Sequence, residues 1–192
     1  MSQRVTLLTD DERGVCPLLM KELEKLGHVV ARVRLDEETR ELEPGSYTAN
    51  LASLEATIRL LEIVRRQQGP IGSVVHLLPL RSGPRFEEMD FSAWRQRLNV
   101  ETKSLFSLVK GLSADVDSGT AAEPVCVVAA TAMGGNFGNG ESSDTNGFFP
   151  GQGGIYGLLK SLAQEWPDAR VKAVDLNPRE SDEALSAHIL AE

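Results

Sequence analysis

Five short runs, Val5–Leu8, Val29–Val33, Val74–Leu77, Val125–Ala129 and Val171–Val174, are apolar at nearly every position, and stretches with helical periodicity separate most of them. A strand that faces water on one side alternates apolar and polar residues, whereas a strand apolar at consecutive positions is covered on both faces. Chains that alternate such strands with helices build an open parallel sheet with helices on both sides. These five runs are therefore expected to lie parallel in one sheet. At 192 residues the chain is long enough for one well-filled core, so residues 1–192 are read as a single domain.

In chain order, Arg4–Thr9 reads as a buried strand, Pro17–Leu26 as an amphipathic helix stopped by Gly27, and His28–Arg34 as a second strand. Strand, turn, helix and strand within about thirty residues make a βαβ unit. From Asp36 to Asn50 the composition turns acidic and polar around Pro44-Gly45, which reads as a long connection in place of a third strand. Leu51–Arg66 is helical by period, with Leu51, Leu54, Ile58, Leu61 and Val64 (or Ile63) as its inward stripe, and Gly69-Pro70 ends it before the strand Ile71–Leu78. One long helix is expected over Phe91–Leu112, with Trp94, Leu98, Leu105, Phe106 and Val109 inward. A loop over 113–123 then leads to the buried strand 124–130. Residues 133–150 are rich in Gly, Asn and Ser, and a mobile or docking loop is expected over 134–150. A helix, the strand Val171–Leu176 and a terminal helix from Ser181 follow. The chain stops inside that helix, before any further strand, so the fold is expected to be truncated and cut from a larger protein.

Composition removes several function classes. The net charge of −8 disfavours a nucleic-acid partner, because such binding rests on Lys and Arg neutralising phosphates. No apolar run is long enough to span a bilayer, and Met1–Leu8 lacks the apolar core of a signal peptide, so a cytoplasmic location without membrane contact is expected. Cys16 and Cys126 read as reduced structural thiols, and with His28, His76 and His188 scattered, no metal site is expected.

The chemistry-bearing stretch is Gly151–Trp166. Ile155, Leu158, Leu159, Leu162, Ala163 and Trp166 recur at three- and four-residue steps and form one apolar stripe. Tyr156 and Lys160, four apart, share a neighbouring face. Together with the Thr9–Cys16 turn, Val74-Val-His76, Asn99–Phe106, Ala130-Thr131 and Gly151-Gln152, this Tyr-x-x-x-Lys resembles the short-chain dehydrogenase/reductase family over nearly the whole chain. The stretch Gly153–Pro167 with Val171–Leu176, and the opening Leu7–Val15, are more closely similar to the ketoreductase region of type I polyketide and polyunsaturated fatty acid synthases. That region is built from two Rossmann-like halves, a structural half without a cofactor site followed by a catalytic half, and the opening looks like the start of the structural one.

The resemblance implies a Rossmann-like fold and names site positions. For catalysis they are Tyr156 as proton donor, Lys160 as its partner, Thr131 at the family's serine and Asn99 in a proton relay; for the cofactor they are Thr9 and Gly14, with Arg32 placed to meet a 2′-phosphate. The sequence departs from the pattern at several of these places. Of the loop Thr-Gly-x-x-x-Gly-x-Gly only Thr9 and Gly14 match, while Asp10 and Cys16 replace glycines. Carboxylates at Asp10, Asp11 and Glu12 beside a pyrophosphate oppose it, a like-charge contact at 4 Å costing about 4 kcal/mol at an effective dielectric near 20. The same acids fit an ordinary helix N-terminus, stabilised by the helix dipole. Arg32 and Arg34, alternating with Val33, also fit a solvent-facing edge. Leu77-Leu78-Pro79 stands where the family has small residues bordering the cofactor. Aligning Gly151-Gln152 with the family's Gly-Gln-x-x-Tyr puts Ile155 and Leu159 at the tyrosine and lysine positions, with Tyr156 and Lys160 rotated about 100° round the helix, whereas a one-residue insertion at Gly153-Gly154 restores them.

Two expectations follow from the resemblance. The first is a non-catalytic structural half that needs no cofactor in isolation, and whose partners are the catalytic ketoreductase half, other synthase domains and the acyl carrier protein of the same synthase. The alternative is an NADPH-dependent 3-oxoacyl reductase.

Overall fold

The computed structural model describes residues 4–84, 86–117, 124–138 and 149–192. The strands are β1 (Val5–Thr9), β2 (Val29–Leu35), β3 (Arg40–Glu43), β4 (Ser46–Ala49), β5 (Ile71–His76), β6 (Cys126–Thr131) and β7 (Arg170–Asp175). The helices are α1 (Val15–Lys25), α2 (Leu54–Gln68), α3 (Phe91–Leu98), α4 (Ser104–Asp117), α5 (Gly153–Glu165) and α6 (Asp182–Leu190). One seven-stranded sheet has the order β3-β4-β2-β1-β5-β6-β7, and every pairing is parallel except β3 with β4. Without β3 this is the doubly wound order, which reverses direction between β1 and β5. The five apolar runs expected to be parallel are parallel, and β6 lies inside the sheet between β5 and β7.

Their unbroken hydrophobicity has the expected cause. Consecutive residues enter different cores: Leu7 joins Leu60, Leu61 and Leu108 from α2 and α4, while Leu8 joins Val15, Leu19 and Leu185 from α1 and α6. Further along the sheet, Val127 and Ala129 meet Leu105, Ile155 and Leu159 from α4 and α5.

Three expectations need correction. The stretch from Asp36 to Asn50 is no plain connection: it folds into the β3–β4 hairpin turned by Gly45 (φ 81°), and β4 supplies the third parallel strand. All four residues of β3 are exposed, as suits a charged edge strand that discourages further pairing. On α2, Leu54 and Ile58 are exposed, and Thr57 and Leu60 join Leu61 and Val64 inside. The single helix expected over 91–112 is two, joined by a π-helical segment Asn99–Lys103 that shifts the inward face, so that Phe106 is exposed. π segments are rare and gather at functional places. Residues 139–148 of the glycine-rich stretch lie outside the described residues, as do 118–123 of the expected loop before β6.

Candidate functional site

In a doubly wound sheet, ligands bind beyond the C-terminal strand ends at the point where the order reverses. Here that corner is bordered by the turn after β1, the end of β5, the end of β6 and the start of α5, so it gathers most of the residues singled out in the sequence.

The turn after β1 is organised by its own acids. Asp11, fully buried, accepts hydrogen bonds from the backbone N–H groups of Arg13 (3.2 Å), Gly14 (3.2 Å), Val15 (3.2 Å) and Cys16 (2.7 Å). Those N–H groups lead into α1, where no intrahelical acceptor exists and an anion is favoured. Asp10 is also buried and receives Arg32 Nε at 2.8 Å and Arg34 Nε at 3.3 Å. Glu12, held at φ 57°, accepts from Arg81 at 2.6 Å, and Arg13 meets Asp182 at 3.2 Å. Gly14 has φ 150°, and a Cβ there would lie 2.8 Å from the Asp182 carboxylate. The glycine thus permits close approach of a side chain of this same chain. Burial in this acidic turn pushes the Cys16 thiol well above its ordinary range.

Beyond β5 the chain turns tightly through Leu78–Leu80, and Leu77, Leu78, Pro79 and Leu80 are all buried. Thr9 Oγ1 accepts the N–H groups of Leu77 (2.7 Å) and Leu78 (3.2 Å), so its hydroxyl oxygen holds this turn against β1. Sequence reasoning missed the group beside it. Buried Glu101, in the π segment, takes Arg97 on one oxygen and Gln152 Nε2 at 2.7 Å on the other. Gln152 also donates to the Pro79 carbonyl (2.9 Å) and accepts Ala132 N–H (2.7 Å), which ties β5, β6, α5 and the π segment together. His76 Nε2 donates to the Glu101 carbonyl at 2.8 Å, leaving Nδ1 as the acceptor facing Thr9 Oγ1 at 3.5 Å. Burial lowers the His76 pKa to about 4, partly offset by that backbone contact. Burial raises the Glu101 pKa, with Arg97 pulling it back. The available signal for Glu101 was its spacing of four from Arg97.

The chemical end holds the expected residue types in other employment. Thr131, buried at the end of β6, donates its hydroxyl to Asp175 Oδ1 at 2.7 Å. Asp175 also accepts the N–H groups of Met133 and Phe137, both at 2.7 Å, and so fixes the turn after β6. Phe137, held at φ 56°, meets Tyr156 edge-on with ring centroids 4.2 Å apart. On α5, Ile155, Leu159 and Leu162 are buried while Tyr156 and Lys160 are exposed together with Ala163. Partial burial and then the Asp175 carboxylate raise the Tyr156 pKa. Asn99 opens the π segment half-buried, and its carbonyl accepts Ser104 N–H. The structure thus brings Tyr156 and Thr131 to one corner through the turn that Asp175 holds.

The N–H groups at the start of α1, where the resemblance places a pyrophosphate, hold Asp11, and the two arginines where it places a 2′-phosphate hold Asp10.

No family model matches the chain. Among curated proteins it is similar to an acetoacetyl-CoA reductase of Synechocystis, 24% identical over 178 residues, covering 93% of this chain and 72% of that protein. Among solved structures it resembles a multidomain structure with adenylation, ketoreductase and pseudo Asub parts of a keto acid-selecting NRPS module (TM-score 0.76, 17% identity), which covers 97% of this chain. This chain spans 15% of the length of that one. It also resembles a Brucella ovis oxidoreductase of the short-chain dehydrogenase/reductase family in complex with a partially ordered NAD, with a TM-score of 0.71 and 15% identity over 98% of this chain and 92% of that one. The fold is accordingly the one that short-chain dehydrogenases/reductases share.

Proposed function

We propose that this chain is the structural, non-reducing half of a ketoreductase region in a polyketide or fatty-acid synthase, bracing a catalytic half of the same fold. The observation that carries the reading is the seat of Asp11: a buried carboxylate of the chain holds the N–H groups at the start of α1. Diversion of Thr131 to Asp175 points the same way. Similarity to a structure that contains a ketoreductase among other domains supports a multidomain setting. In that setting the partners are the catalytic half, neighbouring synthase domains and their acyl carrier protein.

The second reading, an NADPH-dependent 3-oxoacyl reductase, is favoured by the curated relative, itself a reductase of a 3-oxoacyl thioester, and by the enzymes among the similar structures. It also draws on the shared exposed face of Tyr156 and Lys160. Under it, Tyr156 is the proton donor, Lys160 its partner, Thr131 the carbonyl-holding hydroxyl and Asn99 the relay. The deciding experiment follows NADPH oxidation with an acetoacetyl thioester, for the chain and for Tyr156→Phe. The structural reading expects the same background rate from both. Turnover that Tyr156→Phe abolishes would establish the reductase instead.

A further inference from the structure

Around the turn after β1, four arginines and four backbone N–H groups among the described residues hold carboxylates of this chain. Arg32 and Arg34 hold Asp10, Arg81 holds Glu12, Arg13 holds Asp182, and the N–H groups of residues 13–16 hold Asp11. Asp10 and Asp11 are buried, with relative exposures of 3% and 0%, unlike most surface ion-pair acids. The pairing also joins elements distant in sequence, since it ties β1 and α1 to β2, to the turn beyond β5 and to α6.

We infer that Asp10 and Asp11 are a built-in replacement for the phosphates of a dinucleotide, so that the anion that completes this corner of the fold is covalently part of the chain. The inference rests on the structural reading of the protein and deepens it. A ligand that binds only the folded state stabilises it by an amount that grows with its concentration. A tethered carboxylate supplies the same complementarity with no dependence on any ligand. The corner is therefore complete without a cofactor, and the disagreement between this turn and a pyrophosphate is a substitution of one anion for another, with the cationic surroundings retained. Arg32 and Arg34 fit this account: both cations are present and both are partnered from within, by the one carboxylate of Asp10.

The test compares thermal unfolding of the full chain, Asp11→Ala and Asp11→Asn, with inorganic pyrophosphate as probe. Losing the buried acceptor is expected to lower the midpoint of Asp11→Ala by about 3–8 °C. Pyrophosphate at about 10 mM is expected to return a large part of that loss, as a site of roughly millimolar affinity would, while moving the unsubstituted chain by less than about 1 °C. Asp11→Asn keeps an acceptor and is expected to fold even where the alanine variant does not, with a smaller response. Amide NMR on whichever variant folds should show the Arg13–Cys16 N–H resonances moving with pyrophosphate. A folded variant that ignores pyrophosphate, or an unsubstituted chain that responds as strongly as the variants, overturns the inference. Stabilisation of the unsubstituted chain by NADPH overturns instead the reading on which it rests, so the two failures are distinguishable.

Discussion

The two ends of the crevice differ from the pattern of short-chain dehydrogenases/reductases in different ways. At the nucleotide end the residue types themselves differ: Asp10 and Cys16 stand where the pattern has glycines, and Asp10, Asp11 and Glu12 are each satisfied by a group of this chain. At the chemical end the residue types are kept and their connections have changed. Thr131 carries a hydroxyl, yet donates its hydrogen bond to Asp175; Tyr156 and Lys160 keep their spacing of four, yet Ile155 and Leu159 hold the inward face. A site can therefore depart from a family's pattern by composition or by geometry, and only the first is visible in a motif.

The largest effect is expected between the two ends. Glu101→Ala leaves the Arg97 guanidinium and the Gln152 amide without their buried acceptor, so urea unfolding should show a loss of about 3–5 kcal/mol. A loss under about 1 kcal/mol would mean that the network does not join the two ends. His76 gives a pH dependence of the next size. Its folded pKa, about 4, lies below the ordinary 6.5, so between those values the unfolded chain binds a proton that the folded chain does not. Stability is then lost as pH falls through that window, by roughly 3 kcal/mol in all. The raised pKa of Glu101 acts with the opposite sign, favouring the folded state as pH falls, so the His76 share is read as the difference in slope between the chain and His76→Gln.

The sheet was legible because burial on both faces writes itself as consecutive apolar residues. The β3–β4 hairpin was not, because β3 is Arg-Glu-Leu-Glu with every residue exposed, and half of buried β4 is Ser46 and Thr48. The π segment leaves no periodic mark, since it shifts the helical face at Asn99–Lys103 without a Gly or Pro to announce it. Glu101 and Gln152 lie within stretches that the sequence marked, Asn99–Phe106 and Gly151-Gln152, but their mutual contact depends on the meeting of several elements. In the acidic turn the helix N-terminus was readable from Asp11, whereas the pairing of Asp10 with Arg32 and Arg34 depends on the register of β1 beside β2.

Smaller substitutions sharpen the contrast. Gly14→Ala puts a side chain at φ 150° and against Asp182, and should cost about 1–3 kcal/mol in chemical unfolding. At the chemical end, Thr131→Val removes one of the donors to Asp175 and should cost about 1–2 kcal/mol. Tyr156→Phe should change stability by less than about 0.5 kcal/mol, because its hydroxyl has no partner among the described residues. If Tyr156→Phe were the more damaging of the two, the tyrosine would be held in a working network, and the chemical end would be intact.

Calorimetric titration of the chain with NADPH tests the central claim most directly, because it asks whether the nucleotide end is closed whatever the state of the chemistry. With Asp11 on the N–H groups of α1 and Asp10 on both arginines, no binding heat is expected up to a cofactor concentration of about 1 mM, the equivalent of less than roughly 4 kcal/mol of affinity. Saturable binding in the micromolar range would contradict the account, since it would require a pyrophosphate to displace a buried carboxylate from its own helix.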